Sequence, residues 1–150
     1  TMAAALGPGR RDSLYRVASF LEAGLRVPGS SDRPVVYGAP LAGIQSMVER
    51  LTEMGLCLGP EERVDAQTAL RSYTVDSAWI AGEENERGRI RPGMAADFVL
   101  LGDDITKVAP ERISQTQVVA TFLGGECTHG STALHWQAPS TSTFQDSISN

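Results

Sequence analysis

Two cysteines and two histidines are all that 150 residues hold of the side chains that most often bind metals or act as nucleophiles. Cys57 and Cys127 stand far apart and form no Cys-x-x-Cys pair, which excludes a zinc ribbon or a paired redox site. They read as free thiols, and with them the expected location is a reducing cytoplasm. His129 and His135 are six positions apart, wider than the step that puts two ligands on one helix face, and read as solvated side chains. No apolar run approaches the roughly 18 residues of a membrane span. Phosphate-cradling Gly patterns and the Gly-x-Ser-x-Gly nucleophile elbow are missing too. Basic residues are outnumbered, 13 to 18, for a net charge of −5, so neither nucleic acid nor an anionic membrane is an expected partner. Residues 1–9 carry Met-Ala-Ala-Ala-Leu without a basic leader or long apolar centre and do not read as a signal peptide. Thr1 ahead of Met2 suggests that translation starts elsewhere.

What is present suffices for a core. Apolar residues are 41% of the chain, and its length suits one domain or the end of a larger one. Asp12 is a candidate helix cap, with Leu14, Val17, Ala18 and Leu21 forming one apolar stripe and Gly24 ending the helix. Leu25–Val27 then reads as a short strand. Pro40 starts a helix with Ile44, Met47, Val48 and Leu51 on one face and Gly55 as its stop. Asp65 caps a third helix through Ala66, Ala69, Leu70 and Tyr73, and Thr74 or Asp76 caps a fourth through Trp79 and Ile80 to Gly82. Tyr73 and Trp79 read as packing aromatics.

The pattern changes after Gly82. Residues 83–87 are a charged connector, and Gly88-Arg89-Ile90 can open a strand. Arg91-Pro92-Gly93-Met94 has type II turn composition, with Pro presetting φ and Gly supplying a positive one. Phe98–Leu101 reads as a buried strand. Val118–Leu123 and Glu126–Thr128 read as a hairpin across Gly124-Gly125. The division is thus 1–82 as an α/β segment, 83–129 as a small β unit, and 130–150, rich in Ser and Thr, as a disordered tail.

The segment Val27-Pro28-Gly29-Ser30-Ser31-Asp32-Arg33-Pro34-Val35 carries the chemistry. A polar loop follows a short strand and holds one carboxylate, which is where α/β barrels place catalytic groups. Asp32 is the candidate catalytic residue. Its plainer reading is an Asx turn, in which the carboxylate binds its own backbone. Ser31 and Arg33 are candidate substrate contacts, Arg33 as a fork donor to a carboxylate; loop solvation and a surface ion pair are their plainer readings.

Several stretches, taken in order, resemble one family. Tyr73-Thr74-Val75-Asp76-Ser77-Ala78, then Gly88-Arg89-Ile90-Arg91-Pro92-Gly93-Met94-Ala95-Ala96-Asp97-Phe98-Val99-Leu100-Leu101, is similar to the closing signature of the amidohydrolase superfamily. Gly29 to Val35 resembles the Gly-Ser-Asp-x-Pro-Val loop of amidohydrolase family 3, with one extra Ser. Leu6-Gly7-Pro8-Gly9-Arg10, Gly59-Pro60-Glu61-Glu62-Arg63 and Phe122-Leu123-Gly124-Gly125-Glu126 resemble further elements of that family.

The resemblance implies the C-terminal part of a metal-dependent (β/α)8 barrel with part of a composite β-sandwich. A complete barrel takes about 250 residues. It implies hydrolysis of a C–N bond in an amide, N-acyl or N-formyl compound, with Asp32 as general acid–base and possible metal ligand. The cofactor implied is a divalent metal, zinc by resemblance, whose other ligands have no counterpart here. The implied partners are a small-molecule amide and either the remainder of the barrel or a further copy of the chain. Alone, the chain is expected to be inactive. The family's Asp97 looks structural, serving the turn around Pro92-Gly93. The alternatives are a non-catalytic scaffold or interaction module, or one subunit of a split hydrolase.

Overall fold

A computed structural model describes residues 2–130; the expected tail beyond Gly130, His135 included, lies outside them. Six helices run first: α1 (Met2–Leu6), α2 (Pro8–Arg11), α3 (Val17–Glu22), α4 (Pro40–Glu49), α5 (Ala66–Tyr73) and α6 (Val75–Ile80). Three strands follow, β1 (Phe98–Leu101), β2 (Val118–Leu123) and β3 (Glu126–Gly130), forming one antiparallel sheet in chain order.

The first helices differ from the expectation. Asp12 does not start a helix; it ends α2, and its carboxylate accepts instead from the Gly59 N–H at 3.3 Å. The apolar stripe from Leu14 is cut at Tyr15, whose φ of 53° is incompatible with a continuing helix, so α3 begins only at Val17. Gly24 does stop it, with a positive φ and its N–H on Leu21 O.

Leu25–Val27 is not a strand. A strand needs a partner for its ladder, and no second strand lies alongside these residues among those described. Leu25 N–H turns back to Phe20 O, and Gly29 N–H reaches Ser72 O at 2.9 Å on α5. Arg26 lies 4.8 Å above the ring of Trp79, which is half-exposed rather than buried in packing.

The helix begun by Pro40 forms, but it stops at Glu49 because Arg50 takes a left-handed φ of 59°. Gly55 sits further on, closing a turn back to Thr52. Asp65 caps α5 by accepting from Thr68 N–H at 2.6 Å, which lowers its pKa below the usual carboxylate value. Thr74 occupies the cap position of α6, but its hydroxyl donates back to Leu70 O; Asp76 lies in the first turn, buried beside Arg71 at 3.5 Å.

Ile44, Ala69, Ile105 and Ile113 form the central core, with Met47, Leu70 and Leu101 packed around it. It lies between α4, α5 and a 3-10 segment, Pro110–Gln115, that no periodicity announces. Gln45 of α4 fixes that segment by accepting from Ser114 N–H at 2.8 Å. The helices and the residues around the sheet thus share one core.

Gly88–Ile90 is not a strand; Ile90 is almost fully exposed. The Arg91–Met94 turn forms, with Gly93 at φ 87° and Met94 N–H on Arg91 O. β1 exists but is not buried. Only Leu101, at its end, packs on the core, and Phe98, Val99 and Leu100 remain exposed. Phe98 pairs with Phe122 across the sheet, their rings stacked at 4.4 Å. The Gly124-Gly125 hairpin forms as expected, and β3 extends to Gly130. Asp97 is structural but serves a different turn. It accepts from Gly124 N–H at 2.8 Å and from Arg87 at 3.1 Å, joining the charged connector to the β2–β3 turn.

Candidate active site

The loop carrying Asp32 leaves Val27 and returns at Pro40. Its neck is tied to α5 by the Gly29–Ser72 backbone bond and by the Tyr73 hydroxyl, which donates to Ser30 O at 3.4 Å. Within the loop the Asp32 N–H donates to Ser30 Oγ at 3.1 Å, and Asp32 C=O accepts from Val35 N–H at 2.8 Å. Asp32 has a left-handed φ of 52°. Aspartate tolerates that region better than most residues.

The local bond therefore uses the serine side chain and leaves the aspartate side chain free. Among the described residues no group donates to the Asp32 carboxylate and no cation pairs with it. The expected Asx turn does not form. A bare, exposed carboxylate at a loop tip has both oxygens available for a ligand, a proton or a substrate.

Ser31 and Arg33 flank it and converge on Gly38. A β-carbon there would stand 3.3 Å from Arg33 Cδ and 3.6 Å from Ser31 Oγ. Ser31 is half-buried and Arg33 exposed, with no ion pair to a described residue. Val35, Val36 and Tyr37 follow with their apolar surfaces largely open. Two shallow hollows lie elsewhere, one beside Arg112 and Thr116 and one along Ile90–Phe98, and Asp32 lines neither.

The other singled-out residues lie apart from this loop. His129 is exposed on β3, opposite Thr121. Cys57 and Cys127 are free thiols. Among the described residues no three or more His, Cys, Asp or Glu side chains gather where they could hold an ion. Zinc takes about four ligands, and Asp32 offers one. The described residues do not by themselves make a metal centre.

Sequence reasoning missed the support beneath the loop, Ser72 and Tyr73. One signal was available: Gly43 sits in the middle of α4, where glycine costs about 1 kcal/mol relative to alanine unless something needs the space.

Comparison with known proteins supplies the family. The Amidohydrolase family model matches residues 1–129. The chain is 36% identical over 112 residues to an N-substituted formamide deformylase of Arthrobacter pascens, covering 75% of this chain and 21% of that protein. It is 30% identical over 124 residues to the amidohydrolase YtcJ of Bacillus subtilis, covering 81% and 23%. It is also 30% identical over 113 residues to the protein LONG AFTER FAR-RED 3 of Arabidopsis thaliana, covering 75% and 19%. No solved structure matches at comparable significance.

The chain belongs to the amidohydrolase family. It spans about a fifth of the length of the curated relatives it matches. Membership implies a barrel-containing fold, and the family is generally metal-dependent. No helix among the described residues is long and apolar enough to cross a membrane.

Proposed function

We propose that this chain is the C-terminal part of a cytoplasmic, metal-dependent amidohydrolase, with Asp32 as its acid–base residue. The observation that carries the reading is the Asp32 loop. The N–H and C=O of Asp32 are both bonded within the loop, at a left-handed φ, while its carboxylate takes no partner among the described residues. Non-glycine residues held in the left-handed region cluster at functional sites.

In this reading Asp32 accepts a proton from the attacking water as oxygen bonds to the carbonyl carbon. It returns that proton to the nitrogen as the C–N bond breaks, so the products are a carboxylic acid and an amine. The substrate is a small amide, N-acyl or N-formyl compound; the formamide deformylase among the relatives supports the last. Arg33 and Ser31 lie beside Asp32 and would contact the substrate. The ion, zinc by resemblance, would be held mainly by groups outside the described residues, with Asp32 as one ligand at most. Leu25–Val27 would take its ladder from a neighbouring barrel strand, and residues 83–129 would belong to the composite β-sandwich. Neither nucleic acid nor a membrane enters this reading.

A second reading has its own observation. Val35, Val36 and Tyr37 beside the site, and Val99 and Leu100 on the sheet, are exposed apolar side chains of the sort that another polypeptide covers. A subunit of a split hydrolase would show the same surface. Release of amine from N-substituted formamides and simple amides, followed with added zinc, tests both. The chain alone is expected to release none. Activity restored by a separate polypeptide supports the split form, and activity only in one continuous polypeptide supports the first. Zinc-dependent hydrolysis by the 150-residue chain alone overturns both.

A further inference from the structure

We propose that Tyr73 is a positioning residue for Asp32, with its ring held between Gly29 of the loop neck and Gly43 of α4 so that its hydroxyl steadies Ser30. The inference rests on the proposed role of Asp32 for its catalytic consequence, but the positioning itself does not. A β-carbon at Gly29 would stand 2.4 Å from Tyr73 Cδ2 and Cε2, and one at Gly43 would stand 1.9 Å from the Tyr73 hydroxyl oxygen. Both glycines have an ordinary negative φ, so conformational freedom does not explain them; space for this ring does. The hydroxyl donates to Ser30 O, and Ser30 Oγ in turn accepts from the N–H of Asp32. One residue earlier on α5, Ser72 O accepts from Gly29 N–H. Two contacts from adjacent residues of one helix thus hold both ends of the Gly29–Ser30 step, and Ser30 passes the constraint to Asp32. Tyr73 does not reach the reacting atoms in this arrangement. Burial raises the phenol pKa, so it remains a hydrogen-bond donor across the neutral range.

Two substitutions separate the elements of this device. Tyr73→Phe keeps the ring in its seat and removes only the hydroxyl. Gly43→Ala leaves Tyr73 and the loop chemically intact and pushes the ring from the far side. Amide hydrogen exchange of the full 150-residue chain reads the result at Gly29, Asp32 and Val35, with Ala120 and Phe122 of β2 as the reference for global stability. In Tyr73→Phe the loop amides should exchange about fivefold faster, the worth of one hydrogen bond, and the β2 amides should not change. Gly43→Ala should accelerate the loop amides at least as much. Unchanged loop exchange in both variants overturns the proposal, as does equal acceleration in loop and strand, which is what a merely structural role produces. A kinetic arm distinguishes this from the catalytic reading. In an active hydrolase containing this chain, Tyr73→Phe should lower kcat with KM unchanged. Faster loop exchange with unaltered kcat leaves the positioning intact and removes the assigned role of Asp32.

Discussion

Ser19 donates both its backbone N–H, at 2.9 Å, and its hydroxyl to the carboxylate of Glu62. Ser19 lies in the first turn of α3, so a buried carboxylate from a distant segment caps that helix, with Arg16 alongside at 3.5 Å. These bonds hold the Glu62 pKa below its ordinary value of 4.5.

Replacing Glu62 by Gln should therefore destabilise the chain by about 1.5–3 kcal/mol, the range for hydrogen bonds to a charged group. The contribution is fully present above the unfolded pKa of 4.5 and is lost as the pH falls through the lower folded value. Urea melts from pH 7 to pH 3 check both points. The stability gap between the native chain and Glu62→Gln should close on the acid side of that window and stay constant above it.

Arg50 is buried and binds three carbonyls: Leu58 O through Nε at 2.8 Å, Tyr15 O through Nη1 at 3.0 Å and Leu14 O through Nη2 at 2.6 Å. Arg50→Met should cost about 3 kcal/mol or more, because it leaves buried acceptors unpaired. Arg50→Lys should rescue little, since one ammonium cannot span the fork. Thermal denaturation of the two variants is the check.

Ile44 is the centre of the core and only 2% exposed. Ile44→Ala should lower stability by about 2–5 kcal/mol. Because Gln45 beside it holds the 3-10 segment, the loss should be felt at Ile113 as well as in α4. Residue-resolved hydrogen exchange would show both elements opening together.

Asp97→Ala should loosen the β2–β3 turn by about 1–3 kcal/mol, as the Gly124 N–H loses its acceptor and Arg87 keeps only Glu83 as an ion-pair partner. Faster amide exchange at Gly124, with α5 unaffected, is the expected signature.

The elements visible in the sequence are those set by short-range chemistry. Pro40 and the stripe behind it, Asp65 with Thr68, the Pro92-Gly93 turn and the Gly124-Gly125 hairpin each carry their cause within a few residues. Leu25–Val27 and Gly88–Ile90 look extended, but a strand exists only with a neighbour, and none is supplied to them among the described residues. Asp12 resembles a helix cap and instead receives Gly59, a partner 47 residues away that no local pattern reveals. The buried partners of Glu62 and Arg50 are hidden for the same reason. The polar loop that carries Asp32 was legible, because polar turn residues after an apolar run are a local signal. That its carboxylate would stay unbonded was not, because the choice between Ser30 and Asp32 as the local hydrogen-bonding side chain depends on loop geometry.

Hydrolysis of an N-substituted formamide by an active, zinc-supplied protein containing this chain, compared before and after Asp32→Asn, is the most direct test. Asparagine keeps the side-chain shape and removes the base, so kcat should fall by about 10²–10⁴-fold with stability unchanged, since no described residue bonds to the Asp32 carboxylate. An undiminished kcat in the folded variant would contradict the assignment of Asp32.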